Sequence, residues 1–448
     1  MTATARCVLV LEFNELSPTL MNEFIDDGHL PAFKRLRDRS ATFITEAAET
    51  EDRLNPWVQW VTVHTGASAR DHGVAKLGEA AHLTLPTVAD VVSRSGAPVW
   101  LCGAMNVQPL EPVHGAFLPD PWRVDAVPVP SSLEPFFRFV SANVQEHTSD
   151  RAGLTRADSI ACARFLVGHG LSARTASAVV AQLAGERVGR ADRKHRAELL
   201  DRLQWDVFAH YYRRIEPRFA TFFSNSTAHF QHVAWHELER DGTGSLVLHG
   251  YQQMDRLVDR AHKLAAGRAT VVLCTALSQM ASGDDLVYDG FYRLHEPGKF
   301  VEQLGLTGVV GSAPMMAEQC HLFFDSVGAA SVAAEFLGAT RLGGAPAFDI
   351  VQKDADLVIG CARFTRQASG HDLQLPDGRT APFDDLFYWS DAPREGTHHP
   401  DGILWIEGGR TDGSPRVPLV SVAPTLLSLL GLERPPSMAE PPLMVGIP

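Results

Sequence analysis

Apolar residues fall along this chain in short, nearly unbroken runs, separated by polar tips and by amphipathic stretches. Cys7–Phe13 (Cys-Val-Leu-Val-Leu-Glu-Phe) is such a run. Its strand length and lack of alternation predict a strand covered on both faces. Similar runs at Pro98–Cys102, Arg218–Phe223, Thr270–Cys274 and Ile403–Ile406 predict further buried strands, with another near Ala41–Thr45. Helical spacing follows Ser17-Pro18 and Leu30-Pro31, spans Tyr251–Leu264 and closes the chain at Val422–Leu430. The recurring unit of strand, polar tip and helix predicts an α/β fold, a three-layer sandwich around a mostly parallel central sheet.

The best-marked helix start is in Leu54–Gly66 (Leu-Asn-Pro-Trp-Val-Gln-Trp-Val-Thr-Val-His-Thr-Gly). Asn55 suits the N-cap, Pro56 the first helical position, and Gly66 a left-handed stop. Trp57, Trp60, Val61 and His64 form one heavy face, so the stretch reads as a capped core helix. Its N-terminus also offers unpaired N–H groups and a positive dipole to an anion.

The pattern divides the chain into a core built from 1–125, 206–289 and 388–448, interrupted twice. From 126 to 205 it turns Pro-rich and then polar-helical, which predicts a helical insertion or cap. Arg187, Arg190, Arg193, Lys194 and Arg196 crowd its second half; they make either a solvated face or a set of cations for an acidic substrate. A second insertion, 290–387, mixes short helices and strands with many Gly and Pro residues.

The predicted strands end in polar groups: Glu12, Asn14 and Glu15 after the first, Asn225, His229 and His232 after the Arg218 strand, Thr275, Ser278 and Gln279 after the Thr270 strand, and His398 before the last. Open α/β sheets place ligands at the carboxyl ends of their strands. Three histidines, His229, His232 and His236, fall within eight residues there. An ionised Glu12 in a buried strand is costly unless paired, which points to a ligand or general-base role.

Composition narrows the partners. The 448 residues are 45% apolar and 21% charged, ordinary for a folded protein. A net charge of −13 argues against a nucleic-acid surface. Six scattered cysteines, with no CxxC spacing, read as buried reduced thiols. No run reaches the ~20 apolar residues of a membrane span, and the N-terminus lacks a signal-peptide pattern. A cytoplasmic protein with no membrane contact is the expectation.

Taken in order, these segments resemble the alkaline phosphatase superfamily, within it the type I phosphodiesterase and nucleotide pyrophosphatase branch. The resemblance rests on Asn14-Glu15 after the first strand, Asn55-Pro56 through Thr65-Gly66, and His72-Gly73. It continues in Gln231-His232-Val233-Ala234-Trp235, in Gly396-Thr397-His398-His399-Pro400-Asp401-Gly402, and in Ala423-Pro424-Thr425-Leu426-Leu427. It implies an alkaline-phosphatase-like fold and hydrolysis at a phosphoryl centre with two divalent metals. The chain departs from that pattern where Asn14 stands for the first Asp and Asn55 for the Ser or Thr nucleophile. Ala228 stands where an Asp is expected, unless the frame shifts to Asn225 and His229. Ala276-Leu277 stand for an Asp-His pair.

Asn cannot form the family's covalent phosphoryl intermediate, so Asn55 is expected to hold a substrate oxygen instead. The second metal position is expected to be lost. One divalent ion, Zn or Mn, remains expected on His232, His398 and one of His229, Glu12, Glu15 or Asn14; it would lower the pKa of bound water towards ~7. Asn55, His229, His232 and Glu12 are the catalytic candidates. Asn14, Glu15, Asn225, Thr275, Ser278 and Gln279 are candidates for binding an anionic small molecule of the phosphate ester, phosphodiester or phosphonate class. Two other readings stay open: metal-independent group transfer, isomerisation or elimination on the same scaffold, and a non-catalytic binding protein.

Overall fold

The structure is a computed structural model. It describes residues 7–50, 53–123, 126–145, 155–241, 245–283, 290–314, 319–363, 366, 369–390 and 395–446. Two compact units emerge: the first comprises Met1–Val140, Arg156–Ala281 and Gly396–Pro448, and the second Ser141–Thr155 and Ser282–Glu395.

The first unit is built on an eight-stranded sheet. Its strands are β1 (Cys7–Phe13), β2 (Ser40–Glu46), β3 (Val99–Cys102), β4 (Gly115–Leu118), β5 (Phe219–Ser224) and β6 (Ala269–Cys274), followed late in the chain by β9 (Asp401–Glu407) and β10 (Arg416–Pro418). A separate two-stranded ribbon pairs β7 (Ser278–Ala281) with β8 (Gly396–His399). The order across the sheet is β10-β2-β9-β6-β1-β5-β3-β4. Only β9 runs against its neighbours; the other pairings are parallel. This is the mostly parallel α/β sheet that the apolar runs predict.

Helices cover both faces, and β1 shows why its sequence is nearly all apolar. Phe13 packs edge-on against Phe33 of α2 (Pro31–Arg37), with ring centroids 6.2 Å apart. Glu12 points the other way, to His64 of α3 (Pro56–Thr65). The α2 side also carries α1 (Pro18–Asp26), α4 (Arg196–Ile215) and α6 (Leu246–Ala265). Asp255 of α6 caps the first turn of α2, its Oδ1 accepting from the Ala32 and Phe33 N–H groups at 2.8 Å each. On the α3 side, α3 packs against α7 (Val422–Leu429). Gly66 stops α3 at φ +60°, where a Cβ would meet Pro424 and Met438 at 3.1 Å, so glycine fits both the turn and the contact.

Between β5 and α6 runs α5 (Ser226–Asp241), kinked at Ala234 (φ −148°, ψ 25°). Between 126 and 205 lie helices at Glu134–Gln145, Arg156–Gly168 and Ala173–Arg187, and Arg156–Ala281 belongs to the unit that holds the central sheet. Of the arginine-rich stretch, Arg196 is tied to Glu186 at 2.5 Å and Lys194 lies 3.9 Å from Glu237. All six cysteines are free thiols, five of them buried. Among the described residues, no helix is long and apolar enough to cross a membrane.

The second unit contains two small four-stranded antiparallel sheets and a two-stranded one pairing Phe291–Leu294 with Phe387–Ser390. Its own core includes Tyr292, Phe300, Leu322, Leu337, Phe348 and Phe383.

Candidate active site

The polar tips converge on Glu15. It follows β1 in the left-handed region (φ +62°), an uncommon conformation for a residue other than glycine, and is 2% exposed. From that turn its side chain meets Gln279 of β7, His232 of α5 and His398 of β8. Each carboxylate oxygen is held. Asn14 Nδ2 donates to Oε1 at 2.7 Å, and Gln279 Nε2 donates to Oε2.

Two imidazoles face the Oε2 atom. His232 Nε2, from α5, lies 3.1 Å away, and His398 Nε2, from β8, 3.6 Å away. The β7–β8 ribbon explains part of this arrangement, because Gln279 and His398 are register partners across it. The far nitrogens meet main-chain carbonyls: His232 Nδ1 is 3.0 Å from Gly396 O, and His398 Nδ1 is 2.8 Å from Leu54 O. A carbonyl only accepts, so each Nδ1 carries a proton. In the neutral ring, each Nε2 then turns a lone pair towards the Glu15 carboxylate. Lone pairs so opposed require a cation between them or protons on the rings.

The three groups fit a metal. Glu15, His232 and His398 each offer one ligand atom, all within 4.8 Å of one another. Nδ1–H bonded to a carbonyl is the arrangement that orients metal-bound histidine, and two imidazoles with a carboxylate are a common zinc donor set. With protons on the rings instead, the carboxylate stays ionised. Burial alone would raise the Glu15 pKa, but His398 and His232 beside it, with the hydrogen bonds from His232 and Gln279, bring it down to about 2.

The structure distributes the predicted residues unequally. Glu15, His232, His398, Gln279, Asn14 and Asn225 come together. Asn14 is a brace: Nδ2 also donates to Asn225 Oδ1 at 2.8 Å, and Oδ1 accepts from Trp60 Nε1 at 2.7 Å. Asn55 caps α3 without a side-chain capping bond; its neighbour Leu54 supplies the carbonyl that holds His398, so the start of α3 adjoins the cluster. Thr275 splices β6 to β9, its Oγ1 accepting from Ile403 N at 2.7 Å. Ser278 is buried and bridges to Glu15 through the backbone.

Glu12 and His229 lie apart from this cluster. Glu12 projects to the opposite side of β1 from Phe13 and pairs with His64 Nε2 at 2.8 Å, so its partner is a buried histidine of α3. His229 is exposed on α5 and is not one of the three converging ligands. Strand alternation decides the first case, and position on the helix surface the second.

Several contributing residues are absent from the sequence-based set. Gln231 Nε2 donates to Glu15 O at 2.7 Å, Tyr251 Oη donates to Gln231 Oε1 at 2.7 Å, and Ser17 N donates to Tyr251 Oη at 2.7 Å. This buried chain fixes the backbone at Glu15. Gly396 is required by contact, because a Cβ there would lie 2.4 Å from Gln279 Oε1 and 2.7 Å from Gln231 O. Gln231 and Gly396 lie inside the quoted motifs, which is the one signal that could have found them.

No protein-family model matches the chain, and no curated protein matches it. Solved structures do. Phosphonoacetate hydrolase from Sinorhizobium meliloti 1021 in complex with phosphonoformate matches at 13% identity and a TM-score of 0.45, covering 96% of each chain. Human ectonucleotide pyrophosphatase/phosphodiesterase 5 matches at 8% identity and 0.45, and the murine protein in complex with AMP at 8% and 0.44, again over 96% of both chains. A likeness this distant assigns no role to any residue.

Proposed function

We propose that the chain is a hydrolase of small phosphoryl compounds, a phosphate ester, phosphodiester or phosphonate, working with one divalent metal on Glu15, His232 and His398. The observation that carries this reading is the convergence of both Nε2 atoms on Glu15 Oε2 beside the start of α3. When bound, the ion would supply Lewis acidity and make water a better nucleophile near neutral pH.

The chain's own residues supply the rest. Pro56 has no N–H, and those of Val58 and Gln59 bond Asn55 O, so the Trp57 N–H is the first-turn donor of α3 that meets an anionic substrate oxygen, and the Asn55 amide assists it. Asn14 and Gln279 fix the Glu15 carboxylate. The carbonyls of Gly396 and Leu54 keep the imidazole protons on Nδ1, away from the site.

A second reading has its own observation. His232 is 30% exposed at its side chain and lies 3.1 Å from a buried carboxylate, a dyad able to move a proton without metal. Elemental analysis of the purified protein and of His232→Ala and His398→Ala separates the two. About one equivalent of Zn or Mn, lost in both variants together with chelator-sensitive turnover of phosphoesters or phosphonates, supports the metal reading. Turnover by metal-free protein, abolished by His232→Ala, supports the dyad.

A further inference from the structure

A second set of metal-type donors lies in the first unit among His195, Glu198 and His249, with ligand atoms all within 4.8 Å of one another. His195 precedes α4 and Glu198 stands in its first turn, while His249 stands in the first turn of α6. An N-cap histidine and a carboxylate three residues on, met by a histidine of α6, bring two imidazoles and a carboxylate together, a donor set of the zinc type. His249 Nε2 is 2.5 Å from Glu198 Oε2, and the His195 and His249 rings stand at 87° with centroids 5.0 Å apart.

The surroundings orient this set. Arg202 Nη2 donates to Glu198 Oε1 at 3.1 Å and to Gln253 Oε1 at 2.9 Å, which leaves Glu198 Oε2 turned towards His249. Gln253 Nε2 reaches His249 Nε2 at 3.2 Å. Phe230 of α5 forms an apolar wall, 6.4 Å from the His195 ring and 6.5 Å from that of His249. Glu198 is buried, while both histidines are partly open to solvent, so an ion has a way in.

We propose that His195, Glu198 and His249 bind a second, structural divalent ion of the zinc type, which joins the first turns of α4 and α6 across Phe230. Both helices direct positive dipole ends here, which opposes a cation, and the Glu198 carboxylate offsets them. Glu198→Gln keeps the shape and removes the charge, so it is the decisive variant. The site is independent of the Glu15 cluster, and Phe230 sits two residues from His232, so an ion here also steadies the helix that carries His232.

The test loads the full-length protein with zinc alone, removes the excess by gel filtration and measures zinc per chain. It is run in a background carrying His232→Ala and His398→Ala, so that the first cluster contributes nothing. About one equivalent is expected to remain, to fall at least tenfold with Glu198→Gln or His249→Ala added, and to raise the melting temperature only while those residues are intact. If the double variant does not fold, Glu198→Gln in the unmodified chain is expected to lower zinc content by one equivalent. The proposal is overturned if folded protein binds no zinc in that background, or if Glu198→Gln and His195→Ala leave the bound zinc unchanged. Turnover is not read, so failure here leaves the Glu15 proposal standing, and the reverse holds.

Discussion

The Asn14 side chain donates to Glu15 Oε1 at 2.7 Å, leaving Oε2 as the oxygen that faces His232 and His398. An aspartate at position 14 could not donate. It would set two carboxylates side by side and leave Asn225 Oδ1 without that bond. Asn14→Asp is therefore expected to destabilise metal-free protein by about 1–3 kcal/mol, the usual range for stranding a buried polar partner. Added zinc should recover part of the loss. Urea midpoints with and without zinc check both statements.

Removing the charge at the centre has a different signature. Glu15→Gln keeps the volume and one acceptor, so the fold should persist, while zinc affinity falls about 100-fold or more, beyond what loss of an outer-shell partner usually costs. Titration calorimetry with zinc reads this directly. An unchanged affinity would place the ion elsewhere.

Much of the fold was legible because its strands are buried on both faces. Cys7–Phe13 reads as a strand from composition alone, and Asn55, Pro56 and Gly66 mark the two ends of α3 by local chemistry. The site was legible only at its outline. His232 and His398 could be picked as members of the cluster, but the third stayed open among four residues, because placing Glu15 rather than Glu12 beside them depends on strand alternation and on the left-handed turn at Glu15. Trp60 and Tyr251 were invisible as site residues, since their contacts to Asn14 and Gln231 join distant segments and leave no spacing in the sequence. The His195–Glu198–His249 set was missed because its third member comes from a distant segment.

The Tyr251 hydroxyl shows how far that hidden support reaches. It accepts from Ser17 N and donates to Gln231 Oε1 with no exposure to solvent. Tyr251→Phe strands both partners and is expected to cost about 2–3 kcal/mol, measured as a shift in the urea midpoint at constant slope.

Gly396→Ala should harm the site more than its size suggests. The added methyl would fall 2.7 Å from the Gln231 carbonyl and closer still to Gln279 Oε1, and a main-chain atom cannot step aside cheaply. Strand β8 must shift, loosening the bond between His232 Nδ1 and Gly396 O that sets the ring. Zinc affinity is expected to fall about tenfold or more, with about 1–3 kcal/mol of lost stability. Both are read from one zinc-dependent melting series.

Asp201 gives the protein a pH dependence apart from the Glu15 cluster. It is buried beneath the start of α5, accepting from Ser224 Oγ at 2.5 Å and Ser226 N at 3.3 Å. Burial outweighs these hydrogen bonds and pushes its pKa up to about 6, from 3.8. The folded state thus holds a proton between pH ~4 and ~6 that the unfolded chain has released. Stability from this group is fully present below the lower value and is lost as pH rises through about 6, a decline of up to about 3 kcal/mol. In Asp201→Asn the carboxyl is gone, so the fall in stability between pH 4 and 6 should flatten by that amount while the value above pH 7 changes less. Urea unfolding at half-unit pH steps, with zinc absent, measures the two slopes. Equal slopes in both proteins would mean that Asp201 is ionised in the fold already at pH 4 and that its hydrogen bonds, not burial, dominate its environment.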